Sequence, residues 1–120
     1  MKSHRELDVW NKAIDFSEII YRLTKDYPRE ESFGLVSQMR RAAVSIAANV
    51  SEGAARNSRK DFIRFLYIAR GSASELDTLL EISDRTKMTE TDLIIRAKQD
   101  NVVILKMLSA LIGSLSTNNQ

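Results

Sequence analysis

The stretch from Leu35 to Arg56 most constrains how this chain can fold. Placed on a helix at about 100° per residue, it has an apolar face and a separate polar stripe, with mostly small residues between them. The apolar face comprises Leu35, Met39, Ala42, Ala43, Ile46, Val50 and Gly53, and the polar stripe comprises Gln38, Arg41, Ser45, Asn49, Glu52 and Arg56. An ordinary surface helix is heavily charged on one side. This pattern instead predicts a central helix that neighbours approach closely on several sides.

The remainder of the chain is typical of an all-α protein. It has one Pro and four Gly among 120 residues, and its β-branched residues do not alternate over any long run. Pro28 is expected to end the first helix. Ser58 followed by Asp61 has the spacing of an N-cap for a third helix. Thr89 followed by Asp92 has the same spacing for a fourth.

These signals divide the chain into four helices of similar length. The predicted helices span about residues 6–26, 34–56, 59–85 and 90–115. Helices of about 20–28 residues joined by short loops are typical of a bundle in which neighbouring helices run in opposite directions. The sequence therefore predicts one domain, residues 1–120, with the fold of an antiparallel up-down-up-down four-helix bundle.

The composition excludes several classes of protein. The chain has no Cys, which removes disulfides, thiolate metal sites and a Cys nucleophile. No apolar run approaches the roughly 18 residues of a membrane span, and the first residues lack the apolar segment of a signal peptide. We therefore expect a cytoplasmic protein that does not associate with membranes.

The residues that usually carry catalysis are scarce. His4 is the only histidine, which excludes a cluster of histidine metal ligands, and its expected place in a mobile N-terminus argues against a Ser-His-Asp triad. The four glycines are isolated from one another, so there is no phosphate-binding loop. The sequence predicts no enzymatic activity, no metal and no cofactor. Catalysis by Asp and Glu alone, as in an acid-catalysed nuclease, remains a third reading.

The predicted third and fourth helices carry more apolar surface than one bundle needs. Because these residues recur at helical spacing away from the core stripe, they predict an interface between copies of the chain. The candidate interface residues are Ile68, Gly71, Leu79, Ile82, Val102 and Val103. Glycine inside a helix costs about 1 kcal/mol relative to alanine, and the close approach of a neighbour would explain Gly71. The alternative is scattered surface aliphatics, which are normal.

Charge is distributed unevenly along the chain. Residues 40–70 include seven basic and two acidic residues, a net charge of +5, whereas residues 71–92 carry −4. Cations at the start of the third helix oppose its dipole, so helix stability does not explain them, whereas recognition of phosphate would. The candidate nucleic-acid-binding residues are Arg56, Arg59, Lys60 and Arg64, followed by Arg40, Arg41 and Arg70. The alternative is a solvated face paired with acids later in the third helix.

The polar stripe has a structural and a functional interpretation. Gln38, Ser45, Asn49 and Glu52 could line a ligand site, but we expect a network of hydrogen bonds between helices or subunits. Asn101 lies inside the apolar stripe of the fourth helix, where one polar group can specify alignment.

Several segments resemble a known family. The matching segments are residues 7–13, the Tyr27-Pro28 turn with Glu31 and Phe33-Gly34-Leu35, residues 38–46, residues 49–53, and residues 62–69 with Gly71, Ser72, Glu75 and Leu76. Together they resemble the 23S rRNA intervening-sequence proteins, and are also similar to the accessory proteins of diversity-generating retroelements. The resemblance implies a ring of identical bundles, a homopentamer, without catalytic residues. It also implies contact with nucleic acid and a reverse transcriptase among the retroelement relatives.

The function predicted from the sequence is therefore binding and not catalysis. We expect a non-enzymatic homo-oligomeric bundle with a basic surface for RNA or an RNA/DNA hybrid. The alternative is a protein-interaction scaffold, or an accessory subunit that docks an acidic partner such as a reverse transcriptase.

Overall fold

A computed structural model describes residues 3–117, and the regular structure within that range is helical without a strand. The α-helices of this part of the chain are α1 (Asp8–Thr24), α2 (Leu35–Ala54), α3 (Arg59–Arg85) and α4 (Leu93–Thr117). Short 3₁₀ turns span His4–Glu6 and Arg29–Glu31. The prediction of an all-α fold is confirmed, and the predicted domain bounds extend beyond the described residues at both ends.

Local hydrogen bonds explain where the helices begin. The hydroxyl of Ser58 accepts a hydrogen bond from the backbone N–H of Asp61 at 3.1 Å and caps α3. The predicted cap of the fourth helix is wrong by two residues. Thr91, not Thr89, accepts from the N–H of Leu93 at 3.2 Å, so α4 begins at Leu93.

The four helices enclose one apolar core, and each contributes side chains that are fully buried, such as Phe16, Ile46, Leu66 and Leu108. Helix α2 packs against α1 and α3, and α4 packs against α3 and α1. The molecule measures 50 × 20 × 20 Å. Within the single protomer α2 contacts two neighbouring helices. Its outer face, which includes Val44 and Ala48, is exposed, so the protomer alone does not surround α2 as the sequence predicted.

Helices α2 and α3 form the most extensive helix–helix contact in the described part of the chain. Met39 near the start of α2 meets Ser83 near the end of α3, where the Ser83 hydroxyl lies 3.4 Å from the methionine sulfur. Gly53 at the other end of α2 lies against α3. A Cβ atom at Gly53 would come within 2.7 Å of the Phe65 Cβ and within 3.0 Å of the Phe62 ring. The absence of a side chain at Gly53 therefore allows the two backbones to approach.

Asn101 of α4 and Leu79 of α3 are both buried in the interior. Asn101 is fully buried in α4, and its amide donates to the backbone carbonyl of Ala73 on α3 at 2.8 Å. Leu79 is also buried, at 7% exposure, and belongs to the core cluster. The prediction that Leu79 lies off the core was wrong, because the third helix turns it toward the protomer interior.

Helix α4 is apolar over much of its length, although most of its most apolar window is not buried inside the protein. By length and composition it is long and apolar enough to cross a membrane, and 22% of its most apolar window is buried inside the protein. A helix in the core of a soluble bundle passes the same test, so this feature carries no membrane assignment. It does leave apolar side chains on the outside of α4, including Ile95, Val102 and Val103.

Candidate nucleic-acid interface

The turn between α2 and α3 gathers basic side chains at one end of the molecule. Arg56 follows the last turn of α2, and Arg59 and Lys60 open α3, all of them exposed. Arg56 and Arg59 line a shallow cavity of about 340 Å³, whose apolar wall includes Phe62. The structure therefore places three of the four leading candidates for phosphate contact on consecutive turns of one surface.

The fourth leading candidate, Arg64, meets Arg56 on an aromatic ring. The guanidinium carbons of Arg56 and Arg64 lie 5.0 and 4.6 Å from the centre of the Phe65 ring. A guanidinium over an aromatic face is attracted by the negative charge of the ring face. The half-buried Phe65 ring therefore holds the two cations in defined positions. We define Arg56, Arg59, Lys60 and Arg64 as the basic end.

Both acids of the segment 40–70 pair inside the basic end. Glu52 accepts from Arg56 at 3.0 Å, and Asp61 lies 3.8 Å from the Nε of Arg64. All four side chains are about half exposed, and exposed pairs of this kind contribute little to stability. Their hold on the arginines is therefore weak enough for a phosphate to compete with it.

The acids in the second half of α3 have other partners. Lys98 of α4 lies 2.6 Å from Asp84 and 3.1 Å from Glu81, and Arg85 lies 2.7 Å from Glu81. Hydrogen bonds from Arg85 and Lys98 lower the pKa of Glu81, and those from Lys98 to Asp84 and Glu81 raise the pKa of Lys98. Glu81 and Asp84 therefore do not neutralise the basic end.

The second-choice cations lie elsewhere. Arg40 donates to the Thr24 hydroxyl at 2.9 Å and stacks on the Tyr21 ring at 4.5 Å, so it ties α2 to α1. Arg70 stacks on Tyr67 and donates to Ser109 of α4 at 3.3 Å. Arg41 lies 13 residues before the end of α2 at Ala54, and therefore about 20 Å from the basic end along the helix axis. The structure therefore divides the seven candidates and brings together only the basic end.

The polar stripe of α2 makes one bond between helices in addition to bonds within α2. The Ser45 hydroxyl lies 2.9 Å from the Ser72 hydroxyl of α3, and the Asn49 amide donates to the Ser45 carbonyl and hydroxyl. Glu52 pairs with Arg56 as described, and Gln38 lines a small exposed cavity of about 350 Å³ that also includes Ser45 and Ser72. Across residues 3–117, no group of three His, Asp or Glu side chains is arranged to hold a metal ion.

The candidate interface residues are mostly exposed in the single protomer. Ile68, Ile82, Val102 and Val103 are 42–45% exposed. A Cβ atom at Gly71 would meet nothing within 4 Å, so the protomer itself gives no reason for glycine there. These residues remain available to a second copy, unlike the buried Leu79.

A groove that the sequence did not predict lies between α1 and α2, away from the candidate interface residues of α3 and α4. Between α1 and α2 lies an open cavity of about 650 Å³ with a largely apolar lining that includes Trp10, Tyr21 and Ala48. Phe33, in the turn before α2, is 99% exposed. The small residues of α2 that line the groove are visible in the sequence. Their pattern does not show whether another helix of the same chain covers that face of α2.

Comparison with known proteins identifies the family. The sequence model of the 23S rRNA-intervening sequence protein family matches residues 5–110. The chain belongs to this family. A solved structure from Bacteroides thetaiotaomicron, described as a protein of unknown function from the S23 ribosomal protein family, is similar to it with 32% sequence identity and a TM-score of 0.80. That similarity covers 88% of this chain and 95% of the other. No match to a curated protein is found.

Membership of the 23S rRNA-intervening sequence protein family supports the expected fold. The resemblance noted in the motifs is confirmed for this family over nearly the whole chain. The description of the solved relative gives its function as unknown.

Proposed function

We propose that this 23S rRNA-intervening sequence protein is a non-enzymatic, cytoplasmic nucleic-acid-binding protein. In this proposal its antiparallel up-down-up-down bundles assemble into a homo-oligomeric ring and bind structured RNA through the basic end. The single observation that carries the RNA contact is the gathering of Arg56, Arg59, Lys60 and Arg64 at one end of the bundle.

Charge separation supports binding of an anion at this place. The acids Glu81 and Asp84 are engaged by Lys98 and Arg85. The cations of the basic end are therefore not balanced by them, and the first turn of α3 adds its own positive dipole to Arg59 and Lys60. Phosphate contacts by such cations supply affinity that is largely independent of base sequence and falls with salt.

Self-association would strengthen this binding. The exposed apolar residues of α3 and α4 support contact between copies. Within each copy, the contacts of Met39 with Ser83 and of Gly53 with Phe65 support antiparallel packing of α2 and α3. A ring repeats the basic end once per copy. Several weak phosphate contacts then act together, because each later contact is intramolecular.

The test reverses two charges of the basic end. We expect Arg59→Glu with Lys60→Glu to weaken binding of a labelled RNA hairpin at least about tenfold in low salt. The slope of log affinity against log salt should also fall by roughly 1.4–1.8, the contribution of two lost phosphate contacts. Fluorescence anisotropy between about 50 and 200 mM salt measures both quantities, and circular dichroism checks that helicity is unchanged.

A matched control separates the site from net charge. Lys25→Glu with Lys87→Glu makes the same change in total charge at exposed positions after α1 and α3, away from the basic end. Equal loss of binding in both double variants, or no loss in the first, would overturn the proposed contact. Salt-insensitive binding to an acidic protein would favour the scaffold instead. RNA cleavage that is lost on Glu52→Gln or Asp61→Asn would indicate the nuclease.

A further inference from the structure

The groove between α1 and α2 is an open, largely apolar concavity of about 650 Å³. Its α1 side presents Trp10, Ile14 and Tyr21, and its α2 side presents Val44 and Ala48. The Ser17 hydroxyl of the same lining donates to the backbone carbonyl of Ala43 at 3.3 Å, which removes one polar group from competition for a ligand. The groove therefore favours an apolar occupant.

The same chain carries an apolar side chain suited to such a groove. Phe33 is 99% exposed, the highest value among the exposed large apolar residues of the described chain. It projects from the turn between Arg29–Glu31 and α2. An aromatic side chain in that position is a typical anchor of a protein interface, because it buries a large area with few rotatable bonds.

The apolar surface is continuous between Phe33 and the groove. A second cavity, of about 630 Å³, includes Phe33, and shares Tyr21 and Val44 with the groove. Phe33 cannot fill the far part of its own groove. Ala48 lies 13 residues beyond the start of α2, which is about 20 Å along the helix axis. Any contact between Phe33 and that part of the groove must therefore come from another chain.

We propose that Phe33 of one copy inserts into the α1–α2 groove of a second copy. This inference rests on the self-association in the proposed function and adds a contact surface on α1 and α2 to the exposed apolar residues of α3 and α4. Charges beside the two parts are complementary: Glu18 and Arg22 lie on the groove, and Arg29 and Glu30 lie on the Phe33 turn. An interface of standard size covers about 800 Å² per partner, roughly a tenth of the 7311 Å² surface of the protomer.

The absence of cysteine allows a direct test by disulfide trapping. We expect a mixture of Ser32→Cys and Ala48→Cys proteins, both of which keep Phe33, to form a mixed disulfide under mild oxidation. A docked Phe33 carries the exposed neighbouring position 32 to the groove, within bridging distance of position 48. The matched control mixes Ser32→Cys with Ser74→Cys, an exposed position on α3. Mixed disulfide no more abundant in the first mixture than in the control would overturn the proposal.

The double variant Ser32→Cys with Ala48→Cys, which keeps Phe33, reports the geometry of the assembly. A contact that runs head to tail gives a ladder of cross-linked species whose longest member counts the copies in a closed ring. A reciprocal contact about a two-fold axis gives dimers alone. Either pattern supports insertion of Phe33, since the two positions are too far apart to bridge within one chain.

Loss of the aromatic ring separates this inference from the broader proposal. Phe33→Ser removes a side chain that the protomer does not bury, so helicity should be unchanged while the mass measured by light scattering falls. An unchanged oligomeric mass would overturn insertion of Phe33 but leave self-association intact. Wild-type protein that stays monomeric at high concentration would overturn both.

Discussion

Gly53 is the position where one added methyl group tests the packing of the bundle. The Cβ atom of an alanine there would lie 2.7 Å from the Phe65 Cβ, 3.0 Å from the Phe62 ring and 3.3 Å from the Phe62 carbonyl oxygen. The nearest atom is attached directly to the α3 backbone and cannot rotate away. Gly53→Ala therefore forces α2 and α3 apart locally. If the nearest atom were instead the end of a flexible side chain, that side chain could move away and the helices could stay in place.

Two opposing effects set the size of the change. Alanine in a helix interior is favoured over glycine by about 1 kcal/mol. Overpacking of a well-packed core costs about 1–3 kcal/mol, and the upper part of that range applies because the clash is with atoms close to the backbone. We expect Gly53→Ala to lower the free energy of unfolding by about 1–2 kcal/mol, or the melting temperature by roughly 3–10 °C for a domain of this size.

Gly113 supplies the matched control. A Cβ atom there would meet nothing within 4 Å, so Gly113→Ala should gain stability, by about 0.5–1 kcal/mol at most. Urea denaturation followed by circular dichroism measures both variants, at one protein concentration because self-association shifts the apparent stability. A Gly53→Ala protein as stable as Gly113→Ala would refute the close approach of α2 and α3 at this point.

Two further predictions concern Tyr27 and Gly71. Burial raises the pKa of the Tyr27 phenol, so the unfolded chain ionises first, and stability should fall as the pH rises above about 10. Tyr27→Phe should weaken this alkaline dependence in urea denaturation, and equal pH dependence in both proteins would contradict it. Gly71→Leu should leave the protomer folded, since its site is open, yet lower the oligomeric mass in light scattering. Gly113→Leu, at a site that is equally open in the protomer, is the control. Equal oligomeric masses for the Gly71→Leu and Gly113→Leu proteins would argue against an interface at Gly71.

The helices could be predicted because their signals are local. Ser58 caps α3 through a hydrogen bond to a residue three positions away, and Pro28 acts on the residue before it. The start of α4 was misplaced because Thr89 and Thr91 have similar sequence signals. Only the geometry decides which hydroxyl reaches a free N–H, and here Thr91 reaches that of Leu93.

The surfaces could be predicted only in part. Arg56 lies in the turn after α2 and Arg64 lies eight residues later on α3, so their common contact with Phe65 depends on the course of that turn. Leu79 was assigned to the surface because helical periodicity gives its direction but not the width of the buried face. The exposure of Phe33 has no counterpart in periodicity, because Phe33 lies in a turn.

The two proposed contacts use different parts of α2. The groove lies on the side of α2 that faces α1, whereas Arg56 lies against Phe65 on the side that faces α3. Phe33 lies just before the start of α2, about 30 Å from Arg56 along the helix axis. Insertion of Phe33 into a neighbouring groove would therefore leave the basic end uncovered. Assembly and RNA binding can then be impaired separately, so Phe33→Ser should reduce RNA affinity only through lost multivalency.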